Sequence, residues 1–312
     1  MKRLVSSQRG QVFALTAVVI TACLGISAFV LDVGSWFREH RHTQRISDAA
    51  ALAGAQELPS ADAARAAALD YASRNGGCGD GCEVTITTTY LTNDTISVTA
   101  HRTAPLFFAK LIPGVPDPVP TPASAKARSG LPSAAKYVAP IAVNHQHPML
   151  QPPCNPICQD DTEITLNNLH GPGAGDSAGA FSLLDLRKGG GGSAGSGSVS
   201  DWMVNGYKDF MDLGIYDSEP SAMFNSSDFQ AAITSLIGKE VLLPVYDPPI
   251  VLSGSNAEFN IVGWVGFVIT DVEGGGSGRR ISGHFTTYIA EGIQGGASAS
   301  EDFGVRIVAL VE

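Results

Sequence analysis

One uncharged run near the N-terminus constrains this chain more than any other feature of its sequence. Residues Val12 to Leu31 form twenty consecutive positions without a charged side chain. At about 1.5 Å per residue a helix of that length spans about 30 Å, which is the hydrocarbon thickness of a bilayer. Lipid offers the backbone no hydrogen-bond partner, so a segment inside it must be helical. The sequence therefore predicts a transmembrane helix over 12–31 rather than the buried helix of a soluble protein.

The charges around this run favour a membrane as partner and argue against nucleic acid. Residues 1–45 contain six Lys and Arg against two acidic residues, whereas residues 46–312 contain 14 against 28. An acidic body lacks the positive surface that nucleic-acid binding requires. Basic residues flank the run on both sides, so their count does not decide its orientation. The short N-terminal segment and the paired cysteines of the body favour a cytoplasmic segment 1–11 and an extracytoplasmic body in the cell envelope.

Processing of the N-terminal segment is a separate question with a competing interpretation. Residues 20–23 have the pattern of a bacterial lipobox, in which Cys23 would be acylated. The apolar run continues from Cys23 to Leu31, however, where a lipoprotein usually turns polar. A buried thiol that behaves as a small apolar group is therefore favoured. A cleaved secretory signal would need a shorter apolar core and a small-residue cleavage site.

The next segment has the pattern of a helical stalk followed by a β-hairpin. Ala49, Ala50 and Ala53 continue an apolar stripe at helical spacing and are candidates for helix packing, against a partner or against the same domain. Pro59 ends this helix, and the sequence predicts a second helix that Ser60 caps and two glycines terminate. Alternating apolar residues between 84 and 100 predict two strands with a turn at 93–94. The segment 106–112 is apolar and compatible with a short helix.

Residues 131–312 have the pattern of a mostly β region with Gly-rich loops. A proline-rich connector precedes it and places a domain boundary near residues 120–135. Strands are predicted at 137–143, 241–246, 259–272, 281–290 and 305–311, and helices at 199–211 and 227–238. In the second helix Ser227 and Gln230 form a capping box. Both faces of 259–272 are apolar, which predicts a central strand. The fold class is α+β: a transmembrane helix, an Ala-rich stalk and hairpin over 32–130, and this β-rich domain.

Four cysteines form two closely spaced pairs, Cys78 with Cys82 and Cys154 with Cys158. Four cysteines allow three pairings, and sequence alone does not choose among them. Because both pairs lie among Gly and Pro, each can close a short loop, and two local disulfides are the favoured interpretation. A four-thiolate zinc site is the alternative, which an extracytoplasmic location disfavours.

The sequence predicts neither a catalytic site nor a cofactor or metal site. The motifs of serine hydrolases, zinc proteases and nucleotide-binding loops are missing. His145 and His147 alternate as two metal ligands on a strand would, yet no third ligand follows at a useful spacing, so a solvated loop is favoured for them and for His170. The acidic residues at 160–163, and Asp217 with Glu219, are predicted to be solvated loop residues. A non-enzymatic protein is the expectation, and a metal-dependent enzyme is a remote alternative.

A family resemblance is specific to residues 9–57. Arg9-Gly10-Gln11 precede the apolar run, Asp32-Val33-Gly34 follow it, and residues 41–44 lead to the sequence SDAAALAGA at 47–55. This pattern resembles the TadE/TadG-like family of Flp (Tad) pilus assembly proteins, and extends more loosely to about residue 130. The resemblance implies a single-pass bacterial envelope protein with a pilin-like helix, and other pilus-assembly proteins as its partners. It leaves open whether the chain is a pilus subunit or an assembly factor.

Two departures limit what the resemblance carries over. Prepilins have Gly before the cleaved bond and usually Glu five residues later, but the residue five positions after Gly10 is Leu15, which puts processing at Gly10 in doubt. Larger members often contain a D-x-S-x-S metal motif, and residues 217–221 lack its middle serine. The leading hypothesis is a membrane-anchored, non-enzymatic component of pilus assembly. The alternative is a membrane-tethered surface module that binds a glycan or mediates adhesion.

Overall fold

A computed structural model describes most of the chain and divides it into two compact units. The described residues are 9–154, 156–157, 164–167, 181–189, 193–220, 223–224, 226–253, 256–273, 280–296 and 300–311. The first unit comprises Met1–Thr88, Thr95–Ala127 and Leu310–Glu312, and the second comprises Thr89–Asp94 and Arg128–Ala309. Helices come first and strand-rich sheets follow, which confirms the predicted α+β class.

Helix α1 (Arg9–Gln56) is one continuous helix of 48 residues. Between Val12 and Leu31 every side chain is exposed apart from Ala28, which is half-buried. By length and composition this helix could cross a membrane. From residue 32 onward one face of α1 is buried, so its two halves lie in different surroundings. The predicted helix over 12–31 is confirmed as a helix, and the stalk continues it without a break.

Helix α2 (Ala61–Arg74) packs closely against the end of α1. Pro59 separates the two helices, and Ser60 occupies the N-cap position, although its side chain makes no capping hydrogen bond. The buried face of α2 consists of alanines at 64, 68 and 72. At Gly54 a Cβ atom would lie 2.5 Å from Ile96 Cδ1 and 2.8 Å from the Ala64 carbonyl oxygen. Only glycine permits this approach of the two backbones.

The strands of the first unit form an antiparallel hairpin and its neighbour. β1 (Gly81–Thr87) pairs with β2 (Thr95–His101), and Val84 lies opposite Val98. The predicted hairpin is thereby confirmed. Two short strands, β3 (Thr103–Ala104) and β4 (Val119–Pro120), pair across a 3-10 turn at Ala109–Leu111. β5 (Ala123–Gly130) lies next to β2 in the sheet.

The second unit is built mainly from strands around one seven-stranded sheet. Its elements are β6 (Pro132–Ala135), β7 (Ile141–Asn144), β8 (Ile164–Asn167), β9 (Phe181–Leu183), α3 (Ser196–Asn205), β10 (Met211–Asp212), β11 (Gly214–Asp217), α4 (Ser227–Thr234), β12 (Glu240–Ser253), β13 (Asn256–Glu273), β14 (Arg280–Thr286), β15 (Tyr288–Ile289), β16 (Gly292–Gln294) and β17 (Val305–Val311). The large sheet has the order β8-β14-β13-β12-β7-β9, and β11 also pairs with β13. β6 lies between β10 and β16 in a three-stranded sheet. Every pairing in the large sheet is antiparallel except β12 with β7, which is parallel.

Strand β13 is the centre of this core. It pairs with β12 and β14 on its two sides, and residues 261–269 are all buried or half-buried on both faces. This confirms the prediction of a central strand. Gly263 faces the ring of Phe303, and a Cβ there would lie 2.8 Å from it. On the neighbouring strand β12 the pairing register shifts opposite Gly263, between Val245 and Tyr246, as it does at a β-bulge.

Four predictions of element bounds or caps were wrong. α3 ends at Asn205, because Gly206 has φ 70° and Met211 already belongs to β10. The side chain that caps α4 is Ser226, which accepts from the Phe229 amide at 3.3 Å, so the proposed Ser227 box is wrong. The strand predicted from residue 137 begins at Ile141, since Tyr137 has φ 57°. The strand predicted over 281–290 is interrupted at residue 287.

His147 is buried, which contradicts the predicted solvated loop. It is 6% exposed and its ring meets Phe285 edge-on, with 5.2 Å between ring centroids. Its Nδ1 accepts from the Met149 amide at 3.2 Å. Burial lowers the pKa of His147 from 6.5 to about 4. The imidazole is therefore neutral in the folded protein over most of the acidic range.

We expect the substitution Gly54→Ala to destabilise the packing of α2 on α1, although alanine favours helix formation. Overpacking of this kind costs about 1–3 kcal/mol, more than the roughly 1 kcal/mol that alanine contributes to helix propensity. Amide hydrogen exchange across α2 in the detergent-solubilised chain measures the change. Gly34→Ala is the matched control, because no atom lies within 4 Å of its added Cβ. Equal exchange in the two variants would contradict the close approach.

We expect the stability of the second unit to fall as the pH is lowered from 6.5 towards 4. In that window an unfolded His147 binds a proton and the folded one does not, so unfolding takes up a proton and becomes more favourable. The contribution of the neutral His147 to the stability of the folded unit is fully present above pH 6.5. His147→Gln keeps an acceptor for the Met149 amide but does not titrate, so its denaturation midpoint should depend less on pH than that of the unsubstituted chain. If the denaturation midpoints of His147→Gln and of the unsubstituted chain changed equally with pH, His147 would not be the cause of the effect.

Candidate functional site where the apolar helix enters the first unit

The first residue after the uncharged run is a buried carboxylate that binds a backbone loop. Asp32 is 5% exposed. Its Oδ1 accepts from the Phe107 amide at 2.6 Å, its Oδ2 accepts from the Ala109 amide at 2.6 Å, and both oxygens accept from the Phe108 amide at 3.1–3.2 Å. Charge-assisted hydrogen bonds of this kind are stronger than neutral ones. One aspartate therefore fixes three consecutive amides at the entry of α1 into the first unit.

The electrostatics of this carboxylate favour its ionised form. Burial raises the pKa of Asp32, but the hydrogen bonds from residues 107, 109 and 108 and the positive charge of Lys110 outweigh it, so that its pKa lies below the ordinary value of 3.8. Hydrogen bonds to a carboxylate stabilise its charge. Asp32 therefore remains an acceptor for all three amides at neutral pH.

Further along α1, Ser35 and Glu39 continue the same polar attachment. The Ser35 hydroxyl donates to the Pro105 carbonyl oxygen at 3.1 Å. Glu39 Oε1 accepts from Arg102 Nε at 2.6 Å. The same guanidinium donates from Nη1 to the carbonyl oxygens of Gly76 and Gly77, at 2.7 and 3.0 Å. Arg102 thus connects α1 with the turn that follows α2.

A second group of hydrogen bonds connects α1 with the start of β5. The buried Ser47 hydroxyl donates to the Ala123 carbonyl oxygen at 2.9 Å. Gln44 Nε2 donates to the Ser124 carbonyl oxygen at 3.1 Å and to Asp48 Oδ1 at 2.8 Å. These two side chains satisfy successive carbonyl groups of the neighbouring chain segment. The attachment therefore extends over about four helical turns from Asp32.

Sequence reasoning did not identify this polar face of α1. Asp32, Ser35, Glu39 and Ser47 recur every three, four or eight residues, which places them on one side of a helix. That spacing is a readable signal, but polar residues at helical spacing usually indicate a solvated face. Among the described residues, their partners come from segments at least 63 positions away along the chain. Only the folded structure brings them together.

The stretch that carries this face is also the stretch that resembles a known family. Residues 10–57 match the Tad family, described as putative Flp pilus-assembly TadE/G-like. The predicted resemblance is confirmed for this N-terminal region. The TadE/G-like stretch contains α1 from its second residue onward and ends one residue after it. It includes Asp32, Glu39 and Ser47. The match supports a role in pilus assembly.

Comparison with other proteins adds nothing beyond that match. No curated protein and no solved structure matches the chain. The residues after Glu57 therefore carry no assignment by similarity.

The structure places the alanines proposed for helix packing inside the first unit. Ala50 and Ala53 are buried, and Ala49 is half-buried. They lie on the part of α1 that adjoins α2 and β2. These residues are therefore engaged within the unit itself.

The cysteines differ in how much the structure shows of them. The sulfur atoms of Cys78 and Cys82 lie at bonding distance, with 5.3 Å between their Cα atoms. Cys158 lies outside the described residues, so the predicted pairing with Cys154 stays a prediction. Cys23 is a free thiol on the exposed part of α1.

The polar residues considered for chemistry are dispersed. His145 Nδ1 lies 3.1 Å from Asp247 Oδ1, and His147 is buried beside Phe285. His170 and residues 160–163 lie outside the described residues. Glu219 is buried and accepts from the Ser193 hydroxyl at 2.7 Å, so the prediction of a solvated Glu219 was wrong. Within the described part of the chain, no three His, Cys, Asp or Glu side chains form a group that could hold a metal ion.

We expect Asp32→Ala to accelerate amide hydrogen exchange at residues 107–109. The substitution removes the acceptor for three amides and leaves them to water or to no partner. Asp32→Asn keeps one oxygen and should give an intermediate rate. Exchange followed by mass spectrometry in detergent measures both.

Asp70→Ala is the control for this measurement. Asp70 is an exposed carboxylate that pairs with Arg74 within α2, so its removal should leave residues 107–109 unchanged. If Asp32→Ala and Asp70→Ala gave the same exchange at these amides, the Asp32 contact would not be what protects them.

Proposed function

We propose that the chain is a membrane-anchored, non-enzymatic component of Flp/Tad-type pilus assembly. Residues 12–31 of α1 lie in the cytoplasmic membrane, residues 1–11 lie in the cytoplasm, and the remainder lies outside it in the bacterial envelope. One observation carries the proposal: the stretch that matches the pilus-assembly family is a single helix, with an exposed apolar half and a half that is attached to a folded unit. An anchor of this form joins a membrane to an envelope domain.

The exposure of the first half of α1 supports the membrane location. Large apolar side chains such as Phe13, Leu24 and Phe29 are 66–80% exposed. A contiguous apolar surface of that extent is unfavourable in water and is suited to lipid. The helix of a soluble core would bury the same side chains.

The attachment of the second half of α1 supports a function as a rigid connector. Hydrogen bonds that Asp32 and Glu39 accept and that Ser47 donates hold α1 to three different segments of the first unit. Forces on the membrane segment are therefore passed to this unit through a continuous helix. The proposed partners are other pilus-assembly proteins.

The cysteines support an extracytoplasmic location of the body. The Cys78 and Cys82 sulfur atoms are placed for a disulfide, and such bonds persist in oxidising compartments. We propose a second clip between Cys154 and Cys158, and the division of the body into a stalk-and-hairpin region over 32–130 and a β-rich domain over 131–312.

Topology reporters at the two ends test the anchoring. Alkaline phosphatase fused after residue 312 should be active, because it requires an oxidising compartment. A green fluorescent protein fused before residue 1 should fluoresce, because it folds in the cytoplasm. Extraction of the membranes with alkaline carbonate should leave the chain in the membrane pellet. Reporter results with the opposite pattern would reverse the orientation, and release into the soluble fraction would exclude the anchor.

Co-purification tests the pilus role separately. The tagged chain, extracted in mild detergent from cells that express a Tad pilus system, should retain pilus-assembly components. A single-pass protein of unrelated family with the same tag controls for general membrane carry-over. If both recover the same proteins, the pilus role fails although the anchoring stands.

A further inference from the structure

A short apolar segment lies beside α1 with its side chains uncovered. In Leu106–Ile112, Phe107 is 52% exposed and Phe108 45%, while Leu111 is 77% and Ile112 58% exposed. Four large apolar side chains within six residues form a contiguous patch, which soluble surfaces rarely leave open. The described residues of the first unit do not cover it.

The depth of this segment relative to the proposed membrane helix is fixed by Asp32. The Asp32 carboxylate accepts from the amides of Phe107, Phe108 and Ala109 at 2.6–3.2 Å. Asp32 directly follows Leu31, the last residue of the uncharged run. The backbone of the apolar segment is therefore held level with the end of the span, where a bilayer changes from hydrocarbon to headgroups.

A groove continues from this segment towards the middle of the span. It has a volume of about 470 Å³ and lies between α1 and the loop. Gly25, Ala28 and Phe29 line it from the span, and Phe108, Ile112 and Val115 line it from the loop. Gly25 is about 10 Å along the helix from Asp32, at a rise of 1.5 Å per residue. The groove thus shares Gly25 and Phe29 with the exposed surface of the span.

The charges and aromatic rings near the segment suit an interface between lipid and water. Lys110 is the only charged residue between Thr103 and Pro116. A lysine can bury its methylene stem in apolar surroundings while its ammonium group reaches the headgroups. On α1, Trp36 stacks on His40, and Arg41 lies over the Phe37 ring at 5.5 Å. Aromatic and basic residues of this kind are enriched at the membrane surface.

We propose that Leu106–Ile112 is a second membrane-contacting element, which lies in the interfacial layer of the leaflet next to the first unit, with a lipid acyl chain in the groove beside α1. This rests on the proposed function, since it requires residues 12–31 to be in a bilayer. Lipid is the occupant that the structure favours over a partner helix, because the groove is continuous with the exposed surface of the span. The segment fixes how far the first unit stands from the membrane.

Depth-dependent fluorescence quenching tests this element in the full-length chain. Single cysteines at Leu111→Cys and Ile112→Cys, in a Cys23→Ser background, carry an environment-sensitive fluorophore, and the chain is reconstituted into phospholipid vesicles. A chain without the added cysteine defines background labelling. We expect blue-shifted emission, loss of emission with nitroxide placed high on the acyl chain, and little loss with iodide in the water.

Two further positions separate this inference from the anchoring on which it rests. Leu69→Cys is the exposed control on α2: its neighbour Ala68 adjoins Gly54, about 33 Å along α1 from Asp32. It should be quenched by iodide and not by nitroxide lipid. Ile20→Cys marks the span and should be quenched by nitroxide placed deep in the bilayer.

The outcomes distinguish the two proposals. If position 20 responds to deep nitroxide but positions 111 and 112 respond only to iodide, the interfacial element is wrong and the anchor stands. If positions 111 and 112 respond to neither quencher, protein covers them instead of lipid, and the inference fails. If position 20 also fails to respond, the anchoring itself is wrong.

Discussion

The contact between Asp32 and the backbone of residues 107–109 is the interaction on which the entry of α1 into the first unit depends. A carboxylate that loses water is unfavourable unless hydrogen bonds replace those lost. Here three successive amides supply them. The amides that lead into the 3-10 turn at Ala109–Leu111 also need an acceptor, so the helix residue and the loop satisfy each other. Removing either would leave buried polar groups without partners.

Polar attachments also distinguish the two halves of α1. The half before Asp32 exposes its apolar side chains, and the half from Asp32 onward buries one face. Asp32, Ser35 and Glu39 require hydrogen-bond partners that lipid lacks and the first unit provides. Their position therefore defines a fixed register between the helix and the unit. Ala50 and Ala53 are buried further along the same helix.

The sequence predicted those features that arise from periodicity and failed at the ends of elements and where distant residues decide. The uncharged run, the β1–β2 hairpin and the buried strand β13 have patterns that recur within a few residues, and the structure confirms them as secondary structure. Glycine at 206 ended α3 early, and Ser226 replaced its neighbour as the cap of α4. His147 is buried by Phe285, which lies more than a hundred residues later. The function of Asp32 was unpredictable for the same reason, although the family motif that contains it was recognised.

The unbroken length of α1 has a mechanical consequence. The helix contains no proline, and the part from Asp32 to Gln56 extends about 37 Å beyond the uncharged run, at 1.5 Å per residue. If residues 12–31 span a membrane as proposed, a reorientation of about 20°, the average tilt of membrane helices, would swing the far end through about 13 Å. Such a lever would convert a small reorientation of the span into a displacement the size of a helix diameter. A change in the local thickness or crowding of the membrane would thereby displace residues well away from its surface.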